Sequence, residues 1–171
     1  VSELTGIVYG DDEKETYAMR VLAEHSRSAT FLIADGVVPG NEGRGYVLRR
    51  VLRRAIRYGI NLGLNDSFLS DIAEEVVNKM KPAYPELAIH ADFVFSVIKL
   101  EEQNFQRTYL AGYSVLNDSL KANETLSGDV VFKLWDTYGF PVEITQEIAE
   151  ECNIEVDIDG CDSKFASIGL I

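Results

Sequence analysis

The segment 43–57 constrains the fold most, because its apolar and basic residues separate onto opposite halves of a helix. At about 100° per residue, one half collects the apolar positions Val47, Leu48, Val51, Leu52, Ala55 and Ile56. The other half collects Arg49, Arg50, Arg53, Arg54 and Arg57. We therefore expect a helix that packs through its apolar half and exposes these five arginines, called the arginine ridge below.

The charge of this segment differs in sign from the charge of the chain. Residues 41–58 contain six arginines and one glutamate and carry +5, whereas the 171 residues together carry −12, so the remainder carries −17. Clustered arginines are not needed to keep such an acidic chain soluble. An anionic partner is one interpretation, and ion pairs with acids of the chain on a solvated face are the other. The use of Arg without Lys favours phosphate, because the planar guanidinium suits its oxygens.

A compact loop precedes the basic helix. Pro39 and two glycines shape residues 37–43 and hold Asn41 beside the start of the helix, where its amide can read a hydrogen-bonding edge. Asparagine also favours turns for its own local hydrogen bonds. We expect Arg44 to hold this loop. The glycine spacing argues against a nucleotide-binding loop at 40–45, since it fits neither the dinucleotide motif nor the P-loop.

Four ordered runs resemble one known family, the alanyl-tRNA synthetases. The runs are RVLAEHSRS at 20–28, FLIADG at 31–36, GRGYVLRR at 43–50 and DTYGFPVE at 136–143. The resemblance extends from about Thr5 to about Asp159 and corresponds to the region after the catalytic core, which reads the tRNA acceptor stem. Nothing is carried over to the tail after Asp159.

The resemblance implies roles for two polar residues. In this family the Asn of the loop and the Asp of the DTYGFP run are implicated in reading a guanine–uracil pair of the acceptor stem. These positions are Asn41 and Asp136 here. On spacing alone, Asp136 reads as the end of a short helix that ties Thr137 or a nearby backbone amide.

The tRNA backbone is the partner that the resemblance implies for the arginines. Arg20 and Arg27, on the preceding helix, extend this surface or pair with Glu24. The set that we assign to backbone binding is Arg44, Arg49, Arg50, Arg53, Arg54, Arg57, Arg20 and Arg27.

Further expectations follow for the parent enzyme. The resemblance implies that its preceding catalytic domain would use ATP and Mg²⁺ to attach alanine to tRNA(Ala), and that its following editing domain would hold Zn²⁺. We expect this chain to start inside that longer protein, to be cytoplasmic without a membrane segment, and to be inactive alone. It needs no cofactor of its own: two cysteines and two histidines are too few and scattered for a zinc site. The alternative is a structural helical domain whose arginine ridge packs on an acidic neighbouring domain.

The periodicity predicts a mainly α fold. A larger helical domain over 1–122 would carry the arginine ridge, and a smaller, mostly helical one over 123–171 would carry the DTYGFP run and a short strand or extended segment at 154–158. Asp12 and the stretch 65–67 read as helix N-caps, as does Thr145 for a helix at 146–151. A continuous helix from 86 would bury Phe93, Val97, Leu100, Phe105, Tyr109, Tyr113, Leu116 and Leu120 and leave Glu101, Glu102 and Gln103 in solvent.

Overall fold

Helices account for most of the computed structural model, which describes residues 1–122 and 125–167. The described helices are α1 (Ser2–Thr5), α2 (Glu13–Ala34), α3 (Gly43–Asn61), α4 (Leu69–Met80), α5 (Glu86–Ile89), α6 (Ala91–Ala122), α7 (Gly128–Tyr138), α8 (Val142–Glu151) and α9 (Ile158–Ser167). The strands β1 (Thr125–Leu126) and β2 (Glu155–Val156) pair in parallel. The predicted mainly α fold with a short strand near 154–158 is confirmed.

Local sequence signals place the ends of the first long helices. Asp12 caps α2 as predicted, because its Oδ1 accepts a hydrogen bond of 2.9 Å from the Glu15 amide. The basic segment forms α3, which ends at Asn61 just before Gly63, a residue with φ +87°.

The start of α4 follows from a distant residue. The predicted cap at 65–67 is wrong in detail, since α4 begins only at Leu69 and has no side-chain cap from its own N-cap residue. Glu102 of α6 instead accepts hydrogen bonds of 3.1 Å from the Phe68 and Leu69 amides and one of 2.6 Å from the Ser67 hydroxyl. A carboxylate from another helix thus satisfies amides that a local cap would otherwise bind.

The predicted continuous helix from 86 is interrupted at His90, which ends α5 before α6 begins. The predicted buried face of α6 is also shifted. Val94 and Ile98 are fully buried, whereas Phe93 and Leu100 are exposed. Phe105 and Tyr109 are buried as expected.

The chain divides into two compact units, Val1–Asn104 and Phe105–Ile171, and the division falls within α6. The predicted domains, 1–122 and 123–171, place the boundary at a polar stretch whose residues 123 and 124 lie outside the described residues. That boundary stays a prediction.

In the first unit, α2 packs against α3, α4 and α5. The core of this unit is aliphatic, and its fully buried members include Leu22, Ile33, Leu48, Leu52, Ile56, Leu69 and Ile98. Close packing extends to the backbone at Gly59, where a Cβ would lie 2.1 Å from the buried Phe68 ring. This core fixes α3 as the helix on which the basic residues are displayed.

In the second unit, α7 packs against α8 and α9. The Trp135 ring lies edge-on to Phe165 at 4.8 Å, and Phe140 stacks on Tyr109 at 5.3 Å. Pro141 precedes α8, which begins at Val142 and not at 146. Thr145 is therefore a buried residue inside the helix, and its assignment as an N-cap is wrong.

The structure describes no helix that is both long and apolar enough to cross a membrane, within residues 1–122 and 125–167.

Candidate nucleic-acid interface

Helix α3 buries a face that is rotated from the predicted one. Leu48, Leu52 and Ile56 are fully buried as expected, but Val47 is 45% exposed and Arg57 only 2% exposed. The prediction of a solvent-facing ridge is therefore wrong at Arg57. The Arg57 guanidinium carbon lies 5.1 Å from the centre of the Tyr58 ring, a cation–π distance.

Arg49 and Arg53 meet a buried carboxylate of α6. Arg53 Nε donates to Glu101 Oε1 at 2.7 Å, and Arg49 Nε lies 3.6 Å from the same oxygen. Glu101 is 6% exposed, so its predicted place on a solvated face is wrong, as is that of Glu102, which is fully buried. The ion-pair interpretation thus holds for two arginines, at a buried and not a solvated position.

Desolvation is the largest influence on the charge of the Arg53 guanidinium. Burial lowers the pKa of its guanidinium, and the attraction and hydrogen bond of Glu101 oppose that shift. Arg49 adds a repulsion between like charges. Glu101 therefore offsets the cost of holding two cations at one partly buried place.

Arg50 and Arg54 directly follow Arg49 and Arg53 on α3, and both are half-buried. Arg54 donates to the Tyr17 hydroxyl of α2 at 3.4 Å and lies 5.8 Å from the Tyr58 ring centre. The Tyr17 and Tyr58 rings meet edge to face. Arg54 thus contributes to the α2–α3 packing in addition to its charge.

Arg20 and Arg27 are both exposed on α2. Arg27 forms an ion pair of 2.6 Å with Glu24, which was one of the two predicted alternatives. Arg20 instead donates from Nε to the Tyr9 hydroxyl at 2.6 Å. An exposed pair such as Arg27–Glu24 contributes little to stability and exchanges readily for another anion.

Asn41 lies exposed in the loop before α3, and its amide is held by the helix that follows. Its Oδ1 accepts a hydrogen bond from Arg49 Nη1. Arg44 is exposed one residue inside α3, so the residue that holds this loop is Arg49 in place of the expected Arg44. With Oδ1 engaged, the Nδ2 group remains to donate to an incoming acceptor.

The loop is also fixed through its backbone. The Gly40 amide donates to the Gly45 carbonyl at 3.0 Å. A Cβ at Gly45 would lie 2.7 Å from the Val38 carbonyl oxygen and 3.0 Å from the Gly40 nitrogen, closer than side chains approach backbone. Gly45 therefore lets the loop lie directly against the first turn of α3.

Asp136 is exposed in the last turn of α7. Within the part of the chain that the structure describes, its carboxylate has no hydrogen-bond partner, so the expected tie to Thr137 or a nearby amide is not formed. Gly139, at φ 66°, ends the helix, and the Phe140 amide bonds back to the Leu134 carbonyl at 3.0 Å.

Phe140 anchors the DTYGFP run in the second unit. It is fully buried, and a Cβ at Gly112 of α6 would lie 2.6 Å from its ring. The missing side chain at Gly112 thus makes room for Phe140, while Asp136 and Thr137 remain in solvent. Asn41 belongs to the first unit and Asp136 to the second.

Sequence reasoning missed Glu101 and Glu102, although a signal for them exists. Helical spacing counted back from Phe105 places Glu101 or Glu102 on the same face as Ile98 and Val94. The more apolar set through Leu100 places both carboxylates on the solvated face instead, and the partners that two buried carboxylates need are not visible in the local sequence.

A metal site has no support in the described ranges, where no group of three or more His, Cys, Asp or Glu side chains is arranged to hold an ion. Cys161 is buried and Cys152 exposed, both as free thiols. Burial, with nearby Asp162 and Asp157, raises the pKa of the Cys161 thiol.

A family model for class II (A) tRNA synthetases matches residues 1–167, which include the basic helix and the DTYGFP turn. The chain belongs to this family. It is 48% identical over 170 residues to the alanine–tRNA ligase of Acetivibrio thermocellus, covering 96% of this chain and 19% of that protein. It is 45% identical over 165 residues to that of Natranaerobius thermophilus, with 94% and 19% covered. The chain thus spans about a fifth of the length of these relatives.

Proposed function

We propose that the chain is the acceptor-stem-binding part of an alanine–tRNA ligase, and that it distinguishes a guanine–uracil pair in the stem. In the parent protein it would support ATP-dependent attachment of alanine to tRNA(Ala). ATP and Mg²⁺ would act in a catalytic domain and Zn²⁺ in an editing domain, both in other parts of that protein. The similarity to alanine–tRNA ligases and the exposed Asn41 in the loop before a basic helix support this proposal.

The contact that carries the proposal is the hydrogen bond between Arg49 and Asn41. It presents an amide donor beside a helix whose arginines can bind phosphate. The minor groove of A-form RNA is wide and shallow, and it displays base edges to such groups. In a guanine–uracil pair the guanine amine lacks its usual partner, and a carboxylate such as that of Asp136 can accept from it.

Phosphate contacts and base contacts have different tasks in this proposal. Arg44, which is exposed, and Arg50, which is half-buried, would hold the backbone and supply most of the affinity. Arg54, Arg20 and Arg27 would add further contacts. Arg57 is buried, so we assign it to packing and not to phosphate.

A salt titration of RNA binding tests the phosphate contacts. We expect the chain to bind an acceptor-stem hairpin with an affinity that falls as salt rises, because bound phosphates release counterions. Arg44→Ala and Arg50→Ala should each weaken binding and lower the salt slope by about 0.7–0.9 per lost contact. The measurement is fluorescence anisotropy with labelled hairpin across a salt series.

Lys79→Ala is the matched control, since it removes one exposed positive charge from α4. It should leave the salt slope unchanged. If Lys79→Ala lowered the slope as much as Arg50→Ala, the binding would depend on general charge and the assignment to α3 would be wrong.

The structural alternative, in which the ridge packs on an acidic neighbouring domain, has one observation in its favour: Arg49 and Arg53 already bind an acid of the chain itself. Under this alternative, the folded chain would show no salt-dependent affinity for the hairpin.

A further inference from the structure

Glu101 is the one of the two adjacent buried carboxylates on α6 that contacts the arginine ridge. Its Oε1 receives the Arg53 Nε hydrogen bond of 2.7 Å and lies 3.6 Å from Arg49 Nε. The three side chains are largely shielded from solvent, at 7% exposure for Glu101, 14% for Arg53 and 24% for Arg49. At such sites a charge pair is screened less than on an open surface.

Arg49 joins this cluster to the loop. Its Nη1 donates to Asn41 Oδ1, while its Nε faces Glu101 without forming a hydrogen bond. One rigid guanidinium plane therefore has the α6 carboxylate on one side and the Asn41 amide on the other. Any change that moves this plane also changes the orientation of the Asn41 amide.

We propose that Glu101 is a positioning residue for base recognition, acting through Arg49 to fix the orientation of the Asn41 amide. This inference rests on the proposed function and adds a residue outside the surface that would touch RNA. Without the Glu101 charge, Arg49 and Arg53 would repel each other at a partly buried place, and Arg49 would move toward solvent.

Glu102 provides an internal comparison. It follows Glu101 on α6 and is fully buried, but it binds Ser67 and the Phe68 and Leu69 amides at the start of α4. A change at Glu102 thus removes a buried carboxylate next to Glu101 but keeps the contact of Glu101 with Arg49 and Arg53.

The experiment is a double-mutant cycle that measures how well each variant discriminates between two hairpins. The dissociation constants for hairpins with a guanine–uracil or a guanine–cytosine third pair are measured for wild type, Glu101→Gln, Asn41→Ala and the double variant. Discrimination is the dissociation constant for the guanine–cytosine hairpin divided by that for the guanine–uracil hairpin. We expect Glu101→Gln to lower this ratio by roughly threefold or more. In the Asn41→Ala background the same change should leave the ratio unaltered, because the group that Glu101 positions is absent.

Glu102→Gln is the control and should lower the melting temperature while keeping the ratio of the wild type. An unchanged ratio in Glu101→Gln would overturn the inference. So would an equal loss of the ratio with and without Asn41, since Glu101 would then act on the fold or on general docking.

A second readout separates this inference from the proposed function. If the wild-type chain does not discriminate between the hairpins, the proposed function fails, and the side-chain amide resonances of Asn41 in the free chain decide the link to Glu101. We expect them to move in Glu101→Gln and to stay in place in Glu102→Gln. Resonances that stay in place in both variants would overturn the link.

Discussion

At the residue scale, the arginines of α3 differ in what they contact, although the sequence presents them as one set. Arg57 is buried beside Tyr58, Arg53 and Arg49 bind Glu101, and Arg50 is half-buried. Sequence spacing gives the angular position of a side chain around the helix, but it does not show how far neighbouring elements cover that side chain. Arg57 lies near the C-terminal end of α3, where Tyr58 and Gly59 are also buried, so the surrounding core covers it.

Arg57 should therefore matter for stability more than for RNA binding. We expect Arg57→Ala to lower the free energy of unfolding by about 2–4 kcal/mol, because it leaves a cavity and removes the packing of the aliphatic part of the Arg57 side chain. The salt slope of hairpin binding should stay close to the wild-type value. Urea unfolding followed by circular dichroism measures the first quantity, and the anisotropy titration measures the second.

Arg50→Ala is the comparison for this prediction and should show the reverse pattern, with a small loss of stability and a shallower salt slope. If Arg57→Ala left the stability unchanged and lowered the slope, Arg57 would be a phosphate contact despite its burial.

At the element scale, the loop over 37–42 and the first turn of α3 form one structure. The helix itself could be predicted from its amphipathic pattern, and the position of Asn41 beside it from Pro39 and the glycines. The bond from Arg49 could not, because nothing in the sequence ranks Arg49 above Arg44 as the donor. Glu101 was missed for a similar reason: its partner Arg53 is 48 residues away, and only tertiary packing brings them together.

Gly45 is the point at which this element can be disturbed without a change of charge. We expect Gly45→Ala to displace the loop, because its Cβ would lie 2.7 Å from the Val38 carbonyl oxygen. Helical content should persist, while the stability falls by about 1–3 kcal/mol, as for other overpacking changes. Discrimination between the two hairpins should fall with it.

Gly40→Ala tests the other side of the same contact. A Cβ there would lie 3.6 Å from Gly45, an ordinary van der Waals distance, so we expect a much smaller effect. Equal effects of the two changes would show that the loop tolerates neither side chain, and that the close approach at Gly45 is not the cause.

At the scale of the whole molecule, an acidic chain of net charge −12 concentrates its arginines on one helix of the first unit and exposes the Asp136 carboxylate in the second. The mainly helical fold could be predicted from periodicity, and the family from four ordered sequence runs. The roles of Asn41 and Asp136 came from the resemblance alone. Their exposure and the bond to Arg49 are consistent with those roles.

The matched controls for these two roles are available in the chain. Thr137 is exposed beside Asp136, and Asn65 is an exposed amide in a different turn, so Thr137→Ala and Asn65→Ala should leave discrimination unchanged. They guard against general effects of truncating a polar surface residue.

The discrimination of Asn41→Ala and Asp136→Ala between guanine–uracil and guanine–cytosine hairpins tests the central claim most directly. Each change should reduce the preference for the guanine–uracil hairpin by about 1–3 kcal/mol, because each removes one minor-groove contact while the phosphate contacts persist. Binding of the guanine–cytosine hairpin should change little. Equal losses of affinity for both hairpins would contradict the account, since Asn41 and Asp136 would then support docking and not the choice of base pair.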